Sequence, residues 1–181
     1  MAGARAGDEL APVRYAGAMR SIIEDKDIVL ALALTLPDGG AAATDLESPR
    51  ARQAALRRLE KAGLYDSGKV LKNALREFVV HGLSIVFPPQ WGETLVLGIG
   101  TAVSGPILRQ RFAIGPKAEV VWTNPQGLLC GTPLVPLHPA LPRLAPRHPG
   151  LHHLVSLADA MRAGRARERA IAGEMLREAL S

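Results

Sequence analysis

Between Ser48 and Asp66 the chain reads SPRARQAALRRLEKAGLYD, and this stretch constrains the fold more closely than any other. Ser48 is a side chain that caps a helix by accepting a hydrogen bond from one of its first free N–H groups. Pro49 suits the first helical position, where its missing N–H would go unpaired anyway. Ala55, Leu56, Leu59 and Ala62 follow at helical spacing and give one apolar face, while Arg50, Arg52, Gln53, Arg57, Arg58 and Lys61 supply polar and cationic positions around the rest. Gly63 takes up the left-handed conformation that ends a helix, and Leu64 then returns to the core. The spacing therefore predicts a helix over 49–62, a glycine stop, and a strand beginning near Tyr65.

Charge separates this stretch from its surroundings. Residues 1–47 hold four Lys/Arg against eight Asp/Glu, a net of −4, whereas residues 48–77 hold eight against three, a net of +5. Residues 78–181, with ten against six, contribute +4. A basic patch of this kind attracts phosphates by Coulomb forces and counterion release, although an arginine-rich solvated helix face has the same composition. With 48% hydrophobic residues in 181, the chain has ample material for a packed core. A single cysteine, Cys130, rules out an internal disulfide framework and fits a reducing compartment. Asp8 and Glu9 come early and no apolar segment follows Met1, so no secretory signal is expected. The longest apolar run, Ile28 to Leu36, is roughly half the ~20 residues that a bilayer span needs. A cytoplasmic chain without membrane contact is expected.

Before Ser48, residues 1–12 read as a frayed terminus. Tyr15, Ala18, Met19, Ile22 and Ile23 recur at helical spacing, and Asp27 to Leu36 predicts a short, nearly all-apolar helix. Pro37-Asp38-Gly39-Gly40 is a strong turn signal, leaving Ala41 to Leu46 with at most a turn and a half of helix. After the opening stretch, Lys72 to Leu83 predicts a further helix ending at Gly82.

A helix, a second helix, then a helix of the form ALRRLEKAGLYD followed by Ser67-Gly68-Lys69-Val70, resembles the winged helix-turn-helix of bacterial transcriptional regulators, particularly the MarR-like group. The pattern is matched from Leu56 onward, and Arg52 stands where the family has alanine. The resemblance implies that the Pro49–Ala62 helix lies in the DNA major groove, with Leu56 and Leu59 holding it on the core and the following hairpin as the wing. It makes Ser48, Arg50, Arg52, Gln53, Arg57, Arg58 and Lys61, with Lys69 at the wing tip, candidates for base or phosphate contacts. The apolar terminal helices suit packing against a twin subunit, and a homodimer would place two such recognition helices one turn of double-stranded DNA apart.

From Ser84 the character changes. Prolines and glycines punctuate short runs, Thr94 to Leu97, Glu119 to Trp122 and Leu128 to Leu134, that read as small strands or extended loops. The glycines from Gly98 to Gly105 are not followed by Gly-Lys-Ser/Thr, so backbone turning explains them better than a phosphate cradle. Trp91 and Trp122 read as core residues, and Cys130 as a small buried side chain. His81, near the end of its helix, reads as structural. His138, His148, His152 and His153 are close in sequence, but Pro149 and Gly150 interrupt them and no acid or cysteine lies between them, so no metal site is expected. Leu151 to Met161 and Ala166 to Leu180 predict two terminal helices. The arginines between them, Arg162 to Arg169, suit salt bridges with Asp159 and Glu168, or a dimer seam or anion-binding corner. This half also resembles uncharacterised bacterial proteins that carry a winged helix at the front.

The sequence thus predicts an α+β chain: residues 1–83 as a winged helix-turn-helix domain with linker helix, and 84–181 as a loop-rich β region followed by a helical pair. The leading expectation is a DNA-binding regulator. A protein-binding module, such as the antitoxin or adaptor of a bacterial two-component pair, is the alternative, motivated by the short helix before Ser48. No nucleophile–base–orienter set can be assembled, so no enzyme activity, catalytic residue or cofactor is expected.

Overall fold

The computed structural model describes residues 22–112 and 119–181. Its organising element is α1 (Asp25–Leu34), in which every residue from Asp27 to Ala33 is buried. A helix apolar on all sides has to be surrounded. Here α2 (Gly39–Leu46) and α3 (Pro49–Lys61) pack against it, as does α7 (Pro149–Ala163) from the far end of the sequence. The expected helix over residues 15–23 lies mostly outside the described residues, and Ile22 and Ile23 form a bend.

The helix before Ser48 is longer than the turn-and-a-half expected. Gly39 and Gly40 belong to α2 and not to the preceding turn, which runs from Thr35 to Asp38. The reason is tertiary: a Cβ on Gly39 would run into the carbonyl oxygen of Ala33, so only glycine allows the start of α2 to sit against the end of α1. Leu30, Ala43 and Ala55 meet where the three helices converge.

The end of α3 follows the sequence expectation. Gly63 has φ +69°, its N–H bonds Glu60 O at 3.0 Å, and Leu64 N–H bonds Leu59 O at 2.9 Å, the paired bonds of a Schellman stop. A two-residue hairpin follows, β1 (Tyr65–Asp66) pairing antiparallel with β2 (Lys69–Val70). Ser67 and Gly68 both have positive φ, +47° and +83°, as the tight mirror-image hairpin turn requires.

The next helix does not end at Gly82. From α4 (Lys72–Glu77) the chain passes through a π-turn (Phe78–Gly82) and continues as α5 (Leu83–Val86). Gly82 is placed by its neighbour: the Phe78 ring folds over it, 3.1 Å from where a Cβ would stand. The expected division at 83/84 therefore cuts a continuous helical segment. One apolar core also crosses it, joining Ile28, Leu32 and Leu75 to Trp122, Leu157 and Leu176.

Three short strands form the β part. Strand β3 (Val96–Gly100) pairs antiparallel with both β4 (Val120–Thr123) and β5 (Leu129–Pro133), and β4 pairs with β5 in parallel, so the sheet closes on itself. Trp122 is fully buried, as expected, but Trp91 is 45% exposed. Cys130 is in a strand yet exposed, because it pairs with Leu97 on the outer side of the ladder. A short helix α6 (Leu141–Leu144) leads into α7, and α8 (Ala166–Ala179) packs back along it.

A buried polar hub ties these parts together. The Asp159 carboxylate on α7 accepts hydrogen bonds from Thr101 Oγ1 at 2.7 Å, Trp122 Nε1 at 2.8 Å and Arg162 Nη1 at 2.7 Å. Burial pushes the Asp159 pKa up, and the Arg162 charge leads the opposing pull of these three donors. Arg162 also donates to the carbonyls of Phe87 at 2.9 Å and Pro88 at 3.3 Å. A single ion pair thus anchors the end of the α4–α5 segment, the start of the β region and α7.

Candidate nucleic-acid interface

Helix α3 starts as its sequence dictates, with Ser48 Oγ accepting from Ala51 N at 3.3 Å and Pro49 in the first turn. Ala55 and Leu59 are buried against the core, with Leu56 partly so. A 3.6-residue repeat then fixes which cations face away from it. Arg50, Arg57 and Lys61 recur at intervals of seven and four, with Gln53 four residues before Arg57, and all four are exposed. Among the described residues none of them joins a salt bridge, and Glu60 is the one acid on the helix. This face presents three positive charges and one amide in the open, groups that grip phosphates and read base edges.

The remaining candidates fall elsewhere. Arg58 is directed at α1: its Nε and Nη2 each donate to the Asp27 carboxylate at 2.7 Å, and Nη1 lies 3.5 Å from Glu24. That bidentate bond to a carboxylate with 0% exposure holds the Arg58 pKa up and makes it a fastener between α1 and α3. This engagement sets Arg58 apart from the open face of α3. Arg52 turns towards α2, where Nη1 donates to Thr44 Oγ1 at 3.0 Å. Ser48 is exposed and engaged as the cap, and Lys69 is exposed on β2 beside the hairpin turn.

Two histidines brace the helix before α3, a role that sequence reasoning missed. His148 Nε2 lies 2.8 Å from Asp45 Oδ2, and His138 Nε2 lies 3.3 Å from Glu47 Oε1. The bond to His148 holds the Asp45 carboxyl below its ordinary range. His138 accepts from Ala140 N through Nδ1 at 3.0 Å, which assigns the proton to Nε2 and makes it the donor to Glu47. Burial pushes the His138 pKa down, with Glu47 pulling partly back. Both acids stand just before Ser48, so the two contacts fix the start of α3 relative to the carboxy-terminal half.

The other sequence candidates separate in the same way. His152 bonds the Gly100 carbonyl at 2.7 Å, and His81 is exposed near Glu77 at 3.6 Å. Among the described residues no group of three His, Cys, Asp or Glu is arranged to hold a metal ion, and no helix is long and apolar enough to cross a membrane. Comparison with protein-family models, with curated proteins and with solved structures finds no match to the chain.

Proposed function

We propose that this chain is a DNA-binding transcriptional regulator of the winged helix-turn-helix type, with α3 as the groove-reading helix and the β1–β2 hairpin as its wing. The observation that carries this reading is the open face of Arg50, Gln53, Arg57 and Lys61 on α3, where no acidic partner neutralises the cations among the described residues. The order of three helices, a glycine stop and a short hairpin supports it, as does the likeness of the ALRRLEKAGLYD stretch to MarR-like regulators. In this reading the protein works in the cytoplasm, as a homodimer that spaces two copies of α3 one DNA turn apart, and without catalysis. Fluorescence anisotropy against duplex DNA from upstream of its own gene tests it. Affinity should fall steeply with salt, and Arg57→Ala and Lys61→Ala should each reduce the salt slope by about one if the residue meets a phosphate. No binding at low salt would sink the assignment.

One observation favours a second reading, a protein-binding module such as an antitoxin or adaptor. Leu95, Leu97 and Leu128 are exposed, Leu128 at 94%, and Leu97 pairs with exposed Cys130 on the outer side of the β region. An uncovered apolar surface of this kind suits a protein contact. Recovery of an untagged partner encoded by a neighbouring gene, lost on Leu97→Asp or Leu128→Asp, supports that reading. A chain that elutes alone and binds DNA argues against it.

A further inference from the structure

Outside α3, the feature with the most chemical content is a cleft of about 710 Å³ between the start of α8 and the β region, within the size range of small-molecule sites. Its walls include Trp91, Arg111, Phe112, Glu119, Arg165 and Arg167. Glu119 is only 4% exposed. One of its oxygens accepts from Arg109 Nη2 at 2.7 Å, while the other, Oε2, has no hydrogen-bond partner among the described residues. A buried carboxylate oxygen without a donor is an unfavourable arrangement that folding alone does not explain.

The cations of the same cleft have the opposite need. Arg111, Arg165 and Arg167 are exposed, and none takes part in a side-chain ion pair among the described residues. Arg165 is the cap residue of α8 and Arg167 stands in its first turn, where Glu168, also on the cleft wall, accepts from Arg165 N at 2.6 Å and leaves the two guanidiniums to the ligand. The Arg167 guanidinium lies 5.9 Å from the centre of the Phe112 ring, a cation–π contact that limits its wandering. Trp91 completes the wall with an indole that is 45% exposed, a high value for so large an apolar group.

We propose that this cleft binds a small zwitterion of the α-amino-acid class with an apolar side chain. Its ammonium group donates to Glu119, its carboxylate is held by Arg165 and Arg167, and its side chain lies against Trp91. The ammonium supplies the donor that Glu119 Oε2 lacks, and the carboxylate balances the guanidiniums. Neither a simple anion nor a simple cation meets both needs. Binding in this way requires Glu119 to turn Oε2 towards the cleft, because that atom is closed to solvent in the unliganded protein. The proposal concerns binding alone and does not rest on the DNA reading.

Titration calorimetry on the full chain tests it directly. The probes are L-phenylalanine, its amide, which lacks the carboxylate, and 3-phenylpropanoate, which lacks the ammonium. L-phenylalanine is expected to bind, with both analogues weaker by about ten-fold or more. Glu119→Gln should lower affinity for L-phenylalanine and narrow its advantage over 3-phenylpropanoate. Because Glu119→Gln also perturbs the Arg109 pair, Arg165→Ala with Arg167→Ala is the second variant. Both positions are exposed, so the unliganded melting temperature should hold while L-phenylalanine affinity falls about ten-fold. Equal binding of 3-phenylpropanoate or inorganic phosphate overturns the proposal. So does failure of both L-phenylalanine and L-leucine to bind at millimolar concentration.

Discussion

Arg57 and Arg58 are adjacent in sequence and opposite in circumstance, and truncating each to alanine separates the two roles that α3 plays. Arg58 gives two charge-assisted hydrogen bonds of 2.7 Å to Asp27, a carboxylate with 0% exposure whose other donor among the described residues is the Glu24 N–H at 2.8 Å. Removing the guanidinium leaves a buried negative charge with one donor, and breaking a buried pair in this way costs about 3–5 kcal/mol. The Arg58 side chain is 27% exposed, so water reaches the vacated space and lowers the expected loss to about 2–3 kcal/mol. Arg57 is exposed and joins no salt bridge among the described residues, so its alanine variant should lie within about 0.5 kcal/mol of the parent. Urea denaturation followed by far-ultraviolet circular dichroism measures both. Arg58→Ala should lower the midpoint with an unchanged slope, and Arg57→Ala should leave it in place. DNA affinity should respond in the reverse order once the comparison is made at a temperature where both variants are folded. An Arg58→Ala protein as stable as the parent would refute the assignment of Arg58 as a fastener, and the Asp27 contact with it.

Other perturbations test other joints. Gly39→Ala should destabilise by about 1–3 kcal/mol, because the new methyl group meets the Ala33 carbonyl. Gly40→Ala, with open space around it, should stabilise by about 0.5–1 kcal/mol in the same thermal melts. Thr101→Val keeps the shape but removes the 2.7 Å bond to Asp159, with an expected loss of about 1.5–3 kcal/mol by chemical denaturation. His152 has its pKa pushed by burial below the ordinary 6.5, against the opposing pull of the Gly100 carbonyl. The unfolded imidazole therefore takes up its proton first: this part of the stability is present above 6.5 and declines as pH falls through that value towards the folded pKa. Urea midpoints should drop as pH is lowered from neutrality, and His152→Gln should flatten the profile.

Local chemistry made α3 legible. Its cap, its proline start and its glycine stop all act within a few residues, so the sequence around Ser48 and Gly63 contains the causes of both ends. The strands around Val120 and Leu129 and the two terminal helices were legible for the same reason, whereas the strand that starts at Val96 runs on through Gly98 to Gly100, glycines that read as turning backbone. What escaped depends on partners distant in sequence. Gly39-Gly40 reads as a turn until Ala33 is seen pressing on it, and Gly82 reads as a stop until the Phe78 ring is found across it. The cations of α3 look equivalent in a linear chain, yet Asp27, 31 residues before Arg58, ties one of them to α1. One signal was available: an acid at the head of the apolar run Ile28 to Leu36 needs a basic partner if it is buried. For Cys130, hydrophobicity pointed inward while the β3–β5 register turned it outward, and Trp91, bridged to Leu134 ahead of β3, is likewise exposed. Nothing in the spacing of the histidines announced that His138 and His148 would be braces for Asp45 and Glu47.

The closure of β3, β4 and β5 upon one another limits how this part of the molecule can meet another protein. Each strand has a ladder partner on either flank, the two overlapping at Gly98 of β3 and Val121 of β4, so an incoming peptide finds no strand with one flank free along its whole length. Recognition through this region has to be achieved by side chains meeting side chains, and the same geometry denies runaway stacking of copies a template to grow from.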